Sequence, residues 1–313
     1  MKPALKAVIV IAIVSIAVAL LAQSTPQTVP VRTVIRVESK EPTPPELSRQ
    51  DVMVRQGKDR LQVTGLISAK AGSAASGLDL YILIDDGTQT SLGLHLDELR
   101  EFITSQPANT QVAVGYMRNG TVNVAQALTT DHAAAAKSIR LPLGYVGAGG
   151  SPYLSLMSLL KQWPGQNARR AILMVSDGID RFRGDFGPLA PFSPDLYTAS
   201  DLAQRAGVEI YSIFFRSGGH LGHNYWELNR GQNSLAKLAE DTAGESFYLG
   251  LDNPVDFQPY LKEMQTDLEN QYILAFLAKP KPKAGLQRVK IFTEVPKVEI
   301  VAPNGVWVPA MVR

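Results

Sequence analysis

From residue 78 onward the chain alternates two patterns. The first is a short apolar run with no polar face: "LDLYILI" at 78–84, "TQVAVGYM" at 110–117, "RAILMVS" at 170–176 and "VEIYSIFF" at 208–215. Such runs suit strands of a sheet that is covered on both faces. The second pattern places apolar residues three or four apart, as with Leu96, Leu99, Phe102 and Ile103 in "LHLDELREFI". "DHAAAAKSI", "YLSLMSLLKQW" and "TASDLAQRAG" also read as helices. The Asn-Gly pair in "RNGTV" at 118–122 predicts a tight hairpin between "VAVGYM" and "VNVAQAL". Strand and helix in alternation, with one hairpin inserted, predict an α/β fold with a doubly wound, mostly parallel sheet and one antiparallel edge.

The flanks follow a different rhythm. "DVMVRQGKDRLQVTGLI" at 51–67 alternates apolar and polar residues about a turn, as a hairpin does, and 72–77 reads as a joint. Residues 23–50 carry Pro26, Pro30, Pro42, Pro44 and Pro45, which predicts an extended linker with one short strand at 31–37. After "SLAKLAEDTAG" and the short strand "SFYL", a helix over 254–270 leads into "QYILAFLA", "LQRVKIFTEV" and "VEIVAPNGVWVP", which alternate like antiparallel strands. Neither flank has enough strands to be stable alone, so together they are expected to form a small β subdomain. The expected divisions are a signal peptide at 1–22, the linker at 23–50, a β-hairpin at 51–77, the α/β domain at 78–250 and a C-terminal helix and β extension at 251–313.

Composition changes this picture at the N-terminus. Lys2 and Lys6 precede an unbroken apolar stretch from Ala7 to Ala22, the layout of a secretory signal. The protein is therefore expected to be exported, to the periplasm or beyond the cell, with membrane contact only if the segment stays as an anchor. The 31 basic residues of the 313-residue chain, less Lys2 and Lys6, leave 29 against 29 acidic ones. That balance argues against nucleic-acid binding, which calls for a clustered basic excess. The absence of cysteine excludes disulfides, zinc thiolates and thiol catalysis.

Ligands of open α/β sheets gather at the carboxyl ends of the strands, where the strand order reverses. Three polar segments fall there: "IDDGTQT" after the first strand, "GAGGSPY" at 147–153 and "SDGID" at 176–180. With "ARRAILMVSDGID", "AQRAGVEIYSIFF" and "SLAKLAEDTAGESFYL" in this order and spacing, residues 78–250 resemble the von Willebrand factor type A (VWA) domain, and more closely the bacterial VWFA-related proteins. The resemblance implies a protein-binding or adhesion role through loops at this end of the sheet. It also implies a metal-ion-dependent adhesion site, in which Asp-x-Ser-x-Ser, a Thr and an Asp supply oxygens to Mg²⁺ or Mn²⁺. In this chain that motif is degenerate. With Asp85 first, the two serine positions hold Gly87 and Gln89; with Asp86 first, the set reads Asp86, Thr88 and Thr90. Ser151 stands for the Thr, and is equally an N-cap before Pro152. Asp177 matches the last Asp, and is equally an Asp-Gly turn. The expectation is no cofactor, or weakly bound Mg²⁺ or Mn²⁺.

Other chemistry is sparser. His220, His223 and Glu227 have a spacing that would suit zinc on a helix, although glycines flank both histidines. A hydrolase using Ser151 or Ser176 with Asp177 and a histidine is a third reading, after metal-independent binding and metal-dependent adhesion. Arg181, Phe182, Arg183, Phe186, Phe192, Tyr225 and Trp226 lie in the segments after the third and fourth sheet strands. Read as loop residues, several of them in "RFRGDFGPLAPFSPDLY" and "HNYWELNR", they form either a partner-binding rim for a protein or cell-surface polymer, or a mini-core closing the sheet.

Overall fold

The structure is a computed structural model describing residues 28–41, 44–72, 74–144, 150–183, 191–218 and 224–311; the signal segment lies outside these. The first described element is the strand expected at 31–37, longer than expected at both ends. β1 (Val29–Ser39) spans eleven residues of the proline-rich stretch. Alternating valines and isoleucines bury one face of it, with Val31, Ile35 and Val37 in a hydrophobic cluster. Pro30 is tolerated because β1 has a strand partner on only one side at that point. β2 (Val52–Gln56) and β3 (Asp59–Leu61) form the expected hairpin. β4 (Val63–Ser68) leaves that hairpin for another sheet.

The α/β unit follows in the expected order. β5 (Leu78–Asp85) leads through α1 (Leu96–Thr104) to β6 (Thr110–Arg118) and its hairpin partner β7 (Thr121–Thr129). Asn119 and Gly120 both have positive φ in the turn, as a tight hairpin of this kind requires. Then come α2 (His132–Lys137), α3 (Pro152–Lys161), β8 (Arg169–Ser176), α4 (Pro194–Ala206), β9 (Val208–Phe214), α5 (Tyr225–Thr242) and β10 (Ser246–Phe247). The sheet runs β10-β9-β8-β5-β6-β7 and is parallel except at β7. Side chains of β5 alternate between two buried clusters: Leu80, Ile82 and Ile84 on one face, Tyr81 and Leu83 on the other. This explains why its sequence shows no polar face. α6 (Gln258–Glu269) joins α1 and α2 on the first face, while α3, α4 and α5 cover the second.

The chain closes with β11 (Gln271–Ala278), β12 (Gly285–Gln287), β13 (Lys290–Thr293), β14 (Val298–Val301) and β15 (Val306–Val308). Of these, β11, β13 and β14 pair with the N-terminal strands, in the orders β14-β1-β11-β4 and β13-β2-β3, while β12 and β15 pair with each other. Their shared core includes Val54, Leu274, Phe276, Ile291 and Val308. The fold is thus a doubly wound α/β sheet with a small β subdomain built from both ends of the chain. That subdomain sits at the amino ends of the parallel strands: Arg169, opening β8, donates to Gln271 Oε1 at 2.7 Å. The carboxyl ends are left for other work.

Candidate functional site

Strand order reverses between β5 and β8, which flank each other in mid-sheet although β6 and β7 intervene in sequence. Asp85 ends β5, and Ser176 ends β8 with Asp177 directly after it, so the crevice expected of such sheets lies between them. The Asp85 carboxylate accepts the Gly87 N–H at 2.9 Å and the Ser176 hydroxyl at 2.9 Å. Burial, then the neighbouring charge of Asp177, pushes its pKa up to about 6, against the pull of those two donors and Arg181. The fully buried Asp177 accepts the Ile179 N–H at 3.0 Å and both terminal nitrogens of Arg181, one at 3.3 Å. The position of Asp177 is fixed by close packing on α5. A Cβ on Gly178, whose φ is +68°, would lie 2.5 Å from the Gly231 carbonyl oxygen, and one on Gly231 would lie 2.0 Å from that of Asp177.

The loop after β5 is stitched to the loop after β9. Thr88 bridges Ser217, Gln89 N–H donates to Arg216 O at 2.9 Å, and Gly218 N–H donates to Gly87 O at 2.9 Å. Within it, the Thr88 hydroxyl donates to the Asp85 carbonyl at 2.8 Å, and the Gln89 side-chain oxygen accepts from Asn253 at 3.0 Å. Thr90 opens a 3₁₀ turn. Asp86 turns away from the crevice. Arg140 grips its carboxylate with two nitrogens at 2.8 and 3.0 Å, and Leu143 N–H adds a third donor at 3.2 Å. The Arg140 guanidinium is itself stacked 3.7 Å over the Tyr116 ring. The register beginning at Asp86 is therefore not assembled, because the carboxylate that would start it is spent on an arginine. Neither Arg140 nor Tyr116 is visible as a partner in the sequence: 54 residues separate Arg140 from Asp86, and no local spacing links them.

These commitments leave little for a divalent cation, which needs a near-octahedral shell of oxygens. Gly87 has no side-chain oxygen, Thr88 and Gln89 are engaged, and both oxygens of Asp177 face an arginine. Ser151 caps α3, accepting the Leu154 N–H at 3.4 Å. The described residues contain no group of three or more His, Asp or Glu placed to hold a metal. The donor set does not fit Mg²⁺ or Mn²⁺. His220 and His223 lie outside the described residues, while Glu227 opens α5 with its N–H on the Asn224 cap at 2.9 Å. Ser176 Oγ donates to Asp85 and accepts from Gly178 N–H at 3.1 Å, and the described His95 and His132 bond elsewhere, to Glu98 and the Thr110 carbonyl.

The expected rim residues separate into inward and outward sets. Arg181 faces inward, with its side chain only 14% exposed. Phe192 is partly buried, with Arg230 stacked 5.6 Å over its ring and Tyr197 edge-on at 6.3 Å. Arg183 ion-pairs with Asp195 at 3.0 Å and stays half exposed. Phe182, Tyr225 and Trp226 point outward, at 59%, 58% and 54% exposure. Tyr225 and Trp226 meet edge to face, with centroids 5.2 Å apart. Phe186 lies outside the described residues. A cavity of about 110 Å³ lies beside this set, lined by Arg183, Phe192, Arg230 and Tyr153 among others.

No family model and no curated protein matches the chain. The solved structures similar to it include VWA domains. The VWA domain of SpRpn10 has 11% identity and a TM-score of 0.39, over 61% of this chain and 96% of that one. Human COPII-coat protein Sec24c has 7% identity and a TM-score of 0.45, over 75% of this chain and 44% of that one. Three N-terminal domains of the type V pili tip protein Mfa5 from Porphyromonas gingivalis have 10% identity and a TM-score of 0.41, over 92% of this chain and 68% of that one. The chain thus spans less than half the length of Sec24c. The fold assignment rests on the strand order and connectivity themselves.

Proposed function

We propose that this chain is an exported VWA-type binding protein that captures a protein partner on the carboxyl-end rim of its sheet. The observation that carries the reading is the set of outward aromatics Phe182, Tyr225 and Trp226, each more than half exposed on a rigid scaffold. Scattered exposed aromatics are ordinary, but an edge-to-face Tyr-Trp pair at a helix start presents a large, stiff apolar surface that loses little entropy on binding. Half-exposed Arg183 adds a charged contact beside it. Binding rather than catalysis is supported by Ser176, whose hydroxyl serves Asp85 and the Gly178 N–H, while the described histidines, His95 and His132, bond elsewhere. Export is supported by Lys2, Lys6 and the apolar stretch that follows.

The test is a pull-down from native envelope with the full chain and with Trp226→Ala and Tyr225→Ala. Loss of the captured protein with an unchanged melting temperature supports the reading. Stable variants that still capture it would move the interface elsewhere, with the C-terminal strands next in line. Capture of polysaccharide in place of protein would replace the partner class. N-terminal sequencing that found Met1 on soluble cytosolic protein would defeat export.

A further inference from the structure

Two carboxylates meet where neighbouring parallel strands end: partly buried Asp85, which accepts the Ser176 hydroxyl at 2.9 Å, and fully buried Asp177, the residue after Ser176. Such a pair needs a cation. Arg181 supplies one, with both terminal guanidinium nitrogens on Asp177 and its charge also felt by Asp85. Its backbone makes a third connection, as Arg181 N–H donates to the Gly150 carbonyl at 2.9 Å, immediately before the Ser151 cap. Arg181 therefore ties the loop entering α3, through its backbone, to its own loop after β8, through a bidentate ion pair, and Ser176 links that loop to the end of β5 by its bond to Asp85.

We infer that Arg181 is a tethered cation standing where a divalent ion would otherwise be needed, holding the three loops in register so that the rim is assembled without metal. The physical basis is geometric as well as electrostatic. A planar guanidinium matches a carboxylate with two parallel bonds, and a side chain belonging to the loop it closes loses less freedom than a captured ion. The position also explains the degenerate first loop. Oxygen ligands at 87 and 89 are unnecessary once the counter-charge comes from position 181, which leaves Gly87 free to give its N–H to Asp85 and Gln89 free to bind Asn253. This inference concerns assembly of the rim and is independent of what the rim captures.

The experiment is thermal unfolding of the full chain in EDTA and in millimolar Mg²⁺ for four proteins. Wild type should melt at the same temperature in both. Arg181→Met leaves the buried Asp177 without its counter-charge and should melt roughly 5–10 °C lower. Adding Asp177→Asn to it should recover most of that loss, because the surplus charge is gone. Arg181→Lys keeps the charge while losing the fork, and should fall between wild type and Arg181→Met without acquiring a Mg²⁺ response. If Arg181→Met does not fold, the double variant and the lysine variant still decide the question. A Mg²⁺-dependent rise in wild type, or an Arg181→Met variant as stable as wild type, would overturn the inference.

Discussion

Both ends of the parallel sheet bury arginines among carboxylates, but among the described residues a second sheet covers only the amino end. At the amino end, Arg169 donates to Gln271, to Ser76 O at 3.0 Å and to Leu268 O at 2.5 Å. Arg36 reaches across from β1 to the Tyr211 hydroxyl at 3.3 Å and Asp267 at 2.6 Å. Between them Glu209 accepts from Tyr211 and Gln271, while its Oε1 has no partner among the described residues. The β subdomain covers this network, so its charges hold two layers together. At the carboxyl end, Asp85, Asp177 and Arg181 form a smaller network with no second sheet over it among the described residues, and Phe182, next to Arg181 in the chain, points outward. Similar chemistry thus has two uses: cross-linking layers where a second sheet seals it, and positioning a surface where none does.

The comparison can be broken most forcefully at the sealed end. Arg169→Met strands acceptors from three segments and deprives Glu209 of a counter-charge, so it should cost about 3–5 kcal/mol in urea unfolding. Variants at the open rim that remove only outward side chains should cost far less. Equal losses at both ends would show that the rim is core.

Acidity separates the ends next. Burial raises Glu209 from 4.5 to about 7, more than Arg36 and Arg169 pull it down. Between those values the folded protein holds a proton that the unfolded chain releases. Its contribution to stability is full below pH 4.5 and is lost as pH rises to about 7. At about 1.4 kcal/mol per unit the effect is about 3 kcal/mol, and Glu209→Gln should remove that share from urea midpoints compared across the window. Asp85 adds slope in the same sense from the other end of the sheet.

At the open rim the effect should appear in binding rather than folding. Trp226→Ala should weaken partner capture by about 2 kcal/mol, roughly 30-fold, with stability changed by less than about 1 kcal/mol. A titration of captured partner against immobilised variant measures the first, and urea unfolding the second. Arg183→Ala is the mildest case. Its side chain is 53% exposed but that of Asp195 only 8%, so a loss of about 1 kcal/mol, at the top of the range for surface pairs, is expected in urea unfolding.

The strands β5, β6, β8, β9 and β11, the Asn119-Gly120 hairpin and most of the helices between them were legible because each follows from local periodicity: a two-face-buried strand must be apolar throughout, and a helix face must repeat every three or four residues. The exception is the start of α5, where Tyr225 and Trp226, read as loop, open the helix. Asp85, Ser176 and Asp177 were legible as residues at strand ends, since topology alone brings the carboxyl ends of parallel strands together. What only the tertiary structure decided is where charge is neutralised. That Asp86 belongs to Arg140, that Arg181 points inward to Asp177 while Phe182 points out, and that proline-flanked β1 lies inside a sheet with β11 and β14 all depend on partners far away in sequence. Hydrophobic burial writes a period into the chain, because every residue of an element faces the same boundary. An ion pair leaves no period, because it is set by one distance between two residues that only the finished fold brings together.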